Sequence, residues 1–82
     1  METRVAVITV ITDDKENTGA INSFFHEYSD HIIGRMGIPY HKRGIYIISV
    51  AVDAPQNIIS SLSGKLGMIS GVTAKTAYAP SI

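Results

Sequence analysis

Cysteine and tryptophan are both absent from the 82 residues. Without cysteine there is no disulfide framework and no thiolate metal site, so the devices that hold many small secreted domains together are missing. An excess of either charge is lacking too, because seven basic residues balance seven acidic ones. Such a neutral chain makes a poor footprint for nucleic acid or for an anionic membrane surface. No apolar run approaches the ~20 residues of a membrane-spanning helix. Met1-Glu2-Thr3-Arg4 leads directly into a strand-like pattern, with no signal peptide in view. The expectation is a single soluble domain, residues 1–82, in the cytoplasm. No glycine-rich phosphate loop follows the first apolar run, and no serine stands in a nucleophile-elbow context. Neither catalysis nor a cofactor is therefore expected.

What is present is a strongly apolar chain, 45% hydrophobic by residue. The run Arg4 to Thr12 is rich in β-branched residues and too short for a helix, so it reads as a strand. From about Asn17 to Ser29, the residues Ile21, Phe24, Phe25 and Tyr28 recur at the spacing of one helical face, with Asp14 or Asn17 as the cap. His31 to Ile38 mixes apolar and polar residues with two glycines, the mark of a strand that bends or bulges, and Pro39 is expected to end its pairing. Pro39 to Gly44 reads as a polar hairpin loop, followed by the apolar strand Ile45 to Val52. Asp53-Ala54-Pro55 opens a second helix, with Asp53 or Ala54 as its cap and Ile58, Ile59, Leu62 and Leu66 as its inward stripe. Gly67 is expected to end that helix in a left-handed cap, and Gly71 to turn the chain into a last strand, Val72 to Tyr78. Gly64, inside the helix, suggests close packing or the approach of a ligand. The order βαββαβ makes two right-handed crossovers joined by a hairpin. The fold class is thus α+β: a ferredoxin-like sandwich, with both helices on one face of a four-stranded antiparallel sheet.

A sheet covered on one side should alternate apolar and polar residues along its strands. These strands do not. The first carries Ala6, Ile8 and Val10 on one face and Val5, Val7, Thr9 and Ile11 on the other. The third carries Tyr46, Ile48, Val50 and Val52 opposite Ile45, Ile47, Ser49 and Ala51. An uncovered face this apolar exceeds what a monomer usually exposes, so a homo-oligomer, dimer or tetramer, is expected to bury it.

Chemistry-bearing residues are sparse. The three histidines show no pair at metal-ligand spacing, so no metal site is expected within the chain. Arg35, Tyr40, His41, Lys42 and Arg43 form the one charged cluster with character, suited to an anionic ligand. The competing reading is a hairpin tip kept soluble by its charges. Gly64, Gly67 and Gly71 would let a ligand approach the backbone closely.

Several segments resemble a known family. They are Arg4 to Ile11, His26-Glu27-Tyr28, Gly34-Arg35-Met36-Gly37-Ile38-Pro39-Tyr40, Gly44 to Val50, Val52-Asp53-Ala54-Pro55 and Ser63 to Met68 with Gly71-Val72. Together they look like the small proteins called regulators of the iron-only hydrogenase system, and the likeness covers nearly the whole chain. It implies an ACT-like variant of the sandwich, similar to the C-terminal effector domain of nickel-responsive regulators. It also implies a transcription-related regulatory role, association into dimers and tetramers, and an unknown small effector or protein partner held between subunits. The nickel site of those regulators does not carry over, because this chain lacks cysteine and their histidine pattern. No residues are left over for a DNA-binding domain, so no direct contact with nucleic acid is expected. The alternatives are a purely structural homo-oligomeric module and, with less support, a small enzyme.

Overall fold

The computed structural model describes residues 2–13 and 15–80. Its elements run β1 (Arg4–Thr12), α1 (Thr18–Glu27), β2 (Ile32–Tyr40), β3 (Ile45–Ala54), α2 (Gln56–Gly67) and β4 (Val72–Tyr78). Short 3-10 turns at Lys15–Asn17, Ser29–His31 and His41–Arg43 join them. All strand pairs are antiparallel, in the order β2-β3-β1-β4. The ferredoxin-like sandwich is therefore formed as expected. Its core lies between the helices and one sheet face, where Ala6, Ile8 and Val10 of β1 and Ile48, Val50 and Val52 of β3 meet Ile21, Phe25, Ile59, Leu62 and Leu66. The helical stripes legible in the sequence are the ones buried here. Period 3.6 on the helices and period 2 on the strands place these side chains on facing surfaces.

Helix and strand ends depart from the sequence reading. Asn17 has helical backbone angles and makes no cap bond. Its amide instead donates to the Ser70 carbonyl at 2.7 Å and to the Thr12 hydroxyl at 3.3 Å, tying the end of β1 to the turn before β4. Asp14, the other proposed cap, lies outside the described residues. Asp53 and Ala54 do not cap α2: both belong to β3, and Pro55 occupies the cap position without a side-chain bond. The Pro55 carbonyl accepts from the Ile58 and Ile59 amides. Gly67 remains helical and is no left-handed cap, since α2 closes through Met68, whose amide donates to the Gly64 carbonyl at 3.1 Å. Pro39 does not end pairing either. Pro39 faces Tyr46 and Tyr40 faces Ile45, which shortens the hairpin loop to residues 41–44. Edge strands such as β2 have one unpaired side and tolerate a missing N–H.

Gly71 behaves as expected, with φ +83° in the turn before β4. A Cβ there would sit 3.3 Å from the Asn17 amide nitrogen. Gly71→Ala is expected to cost about 1–2 kcal/mol, from left-handed backbone strain. Urea denaturation should show a lower midpoint with an unchanged slope.

Candidate functional site

Two surfaces have functional character, and each is built by the sheet. The first is the face that the helices leave uncovered. Strand register arranges it in cross-strand rows. Ile38, Ile47, Ile11 and Thr73 form one row; Met36, Ser49, Thr9 and Lys75 form the next; Gly34, Ala51, Val7 and Ala77 form a third. Tyr40 with Ile45 closes one end, and Val5 with Asp53 the other. Val5, Val7, Ile11, Ile38 and Tyr40 are 37–43% exposed and Met36 59%. Ile45, Ile47 and Ala51 are half-buried by their neighbours. Together these side chains present an apolar patch on the order of 500 Å², near the ceiling for a soluble monomer.

The second surface is a groove between α1 and the edge strand. A β-bulge between Ile32 and Gly34 builds it. Ile32 faces the core strand partner Val52, and the extra residue Ile33 resets the alternation, so that Arg35 rather than Gly34 turns toward the helices. The Arg35 guanidinium then reaches back to α1. It lies 5.0 Å from the centre of the Phe25 ring, and its Nη2 donates to Asn22 Oδ1 at 2.8 Å. Asn22, Phe25, His26, Ser29, Ile32 and Arg35 line a groove of about 380 Å³.

This arrangement divides the residues that the sequence singled out. Arg35 points to the helix side, whereas Tyr40 lies on the open face, five residues along the strand and roughly 16 Å away. His41, Lys42 and Arg43 form the exposed hairpin tip. Gly64 and Gly67 lie in α2 with open space where a Cβ would stand, so neither is required by close packing within the chain. Gly71 sits in the turn before β4. No single pocket gathers these residues. The groove's other members were less visible in the sequence, although Asn22 and His26 stand four residues apart on one helix face.

A third feature joins the helices. Tyr28 and Ser61 share a 2.8 Å hydrogen bond, and the Lys65 ammonium, 5.0 Å from the Tyr28 ring centre, donates to Glu27 Oε2 at 3.0 Å. Hydrogen bonding from Lys65, and then from Ser61, lowers the Tyr28 phenol below its usual 10.0. The same contact with Tyr28, followed by that with Glu27, raises Lys65 above 10.5. The Tyr28 contribution to stability is absent at neutral pH and grows as pH rises through its lowered pKa; that of Lys65 is lost as pH rises through its raised pKa. The pair therefore supports the fold most in the alkaline window between the two. Ultraviolet titration of the phenols should show Tyr28 ionising early, and Lys65→Met should move that titration upward.

Among the described residues, no three His, Asp or Glu side chains converge as metal ligands, and no helix is long and apolar enough to cross a membrane.

Comparisons with known proteins bear on these features. The Thermotoga maritima protein TM1266, itself uncharacterized, superposes with a TM-score of 0.92 at 32% identity, over 96% of this chain and all of that one. The ACT domain of GTP pyrophosphokinase from Chlorobium tepidum matches at TM-score 0.72 and 18% identity, over 100% of this chain and 92% of that domain, which shows the shared fold. A protein of Saccharolobus islandicus (strain L.S.2.15 / Lassen #1), named "Putative nickel-responsive regulator", is 29% identical over 66 residues, 80% of this chain. The chain spans about half the length of that relative, 49%. A family model described as "Iron-only hydrogenase system regulator, putative" matches residues 4–76. With that span covering both helices, the bulged β2 and all but the last two residues of β4, the chain belongs to the TM1266-like family of iron-only hydrogenase system regulators.

Proposed function

We propose that this chain is a non-catalytic regulatory module that works as a homo-oligomer, two copies burying their open sheet faces against each other, and that it responds to a small effector. The observation that carries this reading is the continuous apolar surface of β2, β3 and β1, where Ile38, Ile47 and Ile11 stand side by side on the uncovered side of the sheet. Stacked sheets are a standard way to cover such a surface, and a twofold axis lets one patch serve both partners. Polar side chains of Thr9, Ser49, Thr73 and Lys75 continue the face around the patch, and a stable interface uses about 800 Å² per partner. The family name supplies the process, regulation of an iron-only hydrogenase system. Nickel sensing is not carried over from the nickel-responsive relatives, since His26, His31 and His41 lie on α1, the turn before β2 and the hairpin tip.

Sedimentation equilibrium at micromolar concentration tests the assembly. A mass of at least two chains is expected. A lone particle of 8.9 kDa would sink the reading.

A further inference from the structure

The groove between α1 and β2 has a one-sided chemistry. Its polar side chains are Arg35, His26, Ser29 and Asn22; its apolar members are Ile32 and the Phe25 ring, the latter buried beneath the Arg35 guanidinium; no carboxylate lines it. Arg35 is positioned but not spent. It meets the Asn22 side-chain carbonyl oxygen and the Phe25 ring, and among the described residues no carboxylate pairs with it. A guanidinium carries five N–H donors in a fixed fork, so one bond to Asn22 leaves an edge free for a second acceptor. Locking the fork against Phe25 and Asn22 removes much of the rotamer entropy that a free arginine loses on binding. An imidazole in either protonation state offers an N–H, and the Ser29 hydroxyl can donate as well. These donors, with Ile32 beside them, suit a head group with two or more oxygens and a short apolar body.

We propose that this groove is the effector site, and that the effector is a small oxyanion, carboxylate or phosphate, whose head is held by Arg35 with His26 and Ser29 and whose apolar part rests on the half-buried Ile32. The inference rests on the reading of the chain as an effector-responsive module and names the chemistry of what it senses. It also relocates the binding surface, since Arg35 is the one member of the sequence-level cluster that faces this groove. The negative end of the α1 dipole opposes an anion here. That end is partly satisfied, because the Tyr28 amide donates to the Phe24 carbonyl at 3.0 Å and the His31 amide to the Tyr28 carbonyl at 2.9 Å. The bulge ties recognition to the sheet: the strand that presents Arg35 inward presents Met36 and Ile38 on the open face. Filling the groove therefore bears on the surface proposed to assemble.

Amide NMR titration of the whole chain tests the site, with benzoate, inorganic phosphate and the neutral isostere benzamide as probes. Benzoate should cause saturable shifts at Asn22, His26, Ser29 and the Arg35 side-chain N–H. Benzamide should cause none there. Phosphate binding as tightly as benzoate would mark a phosphate-type head, and weaker phosphate binding a carboxylate; both support the proposal. Arg35→Lys keeps the charge but loses the fork, and should weaken benzoate at least about tenfold. Because Arg35 also holds α1 to β2, the exposed variants His26→Ala and Ser29→Ala give a second readout, each with a several-fold loss. No saturable shift, equal binding of benzamide, or variants that bind like the parent would overturn the site. Sedimentation of the same samples separates the two ideas. A dimer that ignores benzoate removes only the anion groove, and a monomer that binds it removes only the assembly.

Discussion

Ile47→Glu is expected to yield a folded monomer. Ile47 stands in the middle of the open face, between Ile38 on β2 and Ile11 on β1. In a single chain a glutamate there still reaches water, since the position is only half-buried. Within stacked sheets the same carboxylate would be withdrawn from water among the aliphatic side chains of that row. Leaving a charge buried and unpaired costs about 3–5 kcal/mol. The dissociation constant should therefore rise by at least about a hundredfold, enough to abolish dimers at micromolar concentration. Circular dichroism should be unchanged. The parent's thermal midpoint should climb with protein concentration, while the variant's should not, because association stabilises the folded state by mass action. Asn57→Glu on the exposed side of α2 is the control and should leave the mass of the assembly alone. An Ile47→Glu protein that still sediments as a dimer would place the interface elsewhere.

Phe25→Ala carries the largest expected loss of stability. Phe25 is 1% exposed and is the largest side chain fully buried in the core. Removing a buried ring costs about 3–5 kcal/mol through lost transfer energy and the cavity left behind. A chain of this size has a total of roughly 4–12 kcal/mol, so the variant should be partly unfolded at 37 °C or close to it. Ile33→Ala provides the contrast: at 62% exposure, on the extra residue of the bulge, it should change stability by under about 0.5 kcal/mol. Paired urea titrations measure both. Phe25 is also the floor beneath Arg35, so any folded fraction of the variant should lose the groove along with the core.

How far the sequence can be read depends on the range of the forces involved. Ile21, Phe24, Phe25 and Tyr28 announce one helix face because spacing alone sets which side chains share it. Ala6, Ile8 and Val10 announce a strand face for the same reason, and both sets pack in the core as expected. Helix ends were less legible. Asp53 and Gly67 have the chemistry of caps, yet β3 runs on through Asp53 to pair it with Val5, and α2 keeps Gly67 helical. A cap is worth only about 1 kcal/mol, which one more strand pair or helical turn can outweigh. Pro39 shows the same limit: its effect on pairing depends on whether the strand lies at an edge, which no local pattern states.

The candidate site was the least legible part. Arg35, Tyr40, His41, Lys42 and Arg43 lie close together in the chain, and nearness in sequence suggested one anion-binding cluster. A strand sends neighbours to opposite faces, and the bulge at Ile32 and Gly34 chose which face Arg35 takes. Its partners Asn22 and Phe25 come from the preceding helix, across a crossover.

Residue order by itself determined the elements, the sandwich they form and the greasiness of both sheet faces, because periodicity and side-chain character act over a few neighbouring positions. The tertiary structure alone decided where strands stop, which helix ends go uncapped and that Arg35 meets α1. Those outcomes come from contacts between segments far apart in the chain, where differences of about a kilocalorie choose among conformations that local chemistry leaves nearly equal.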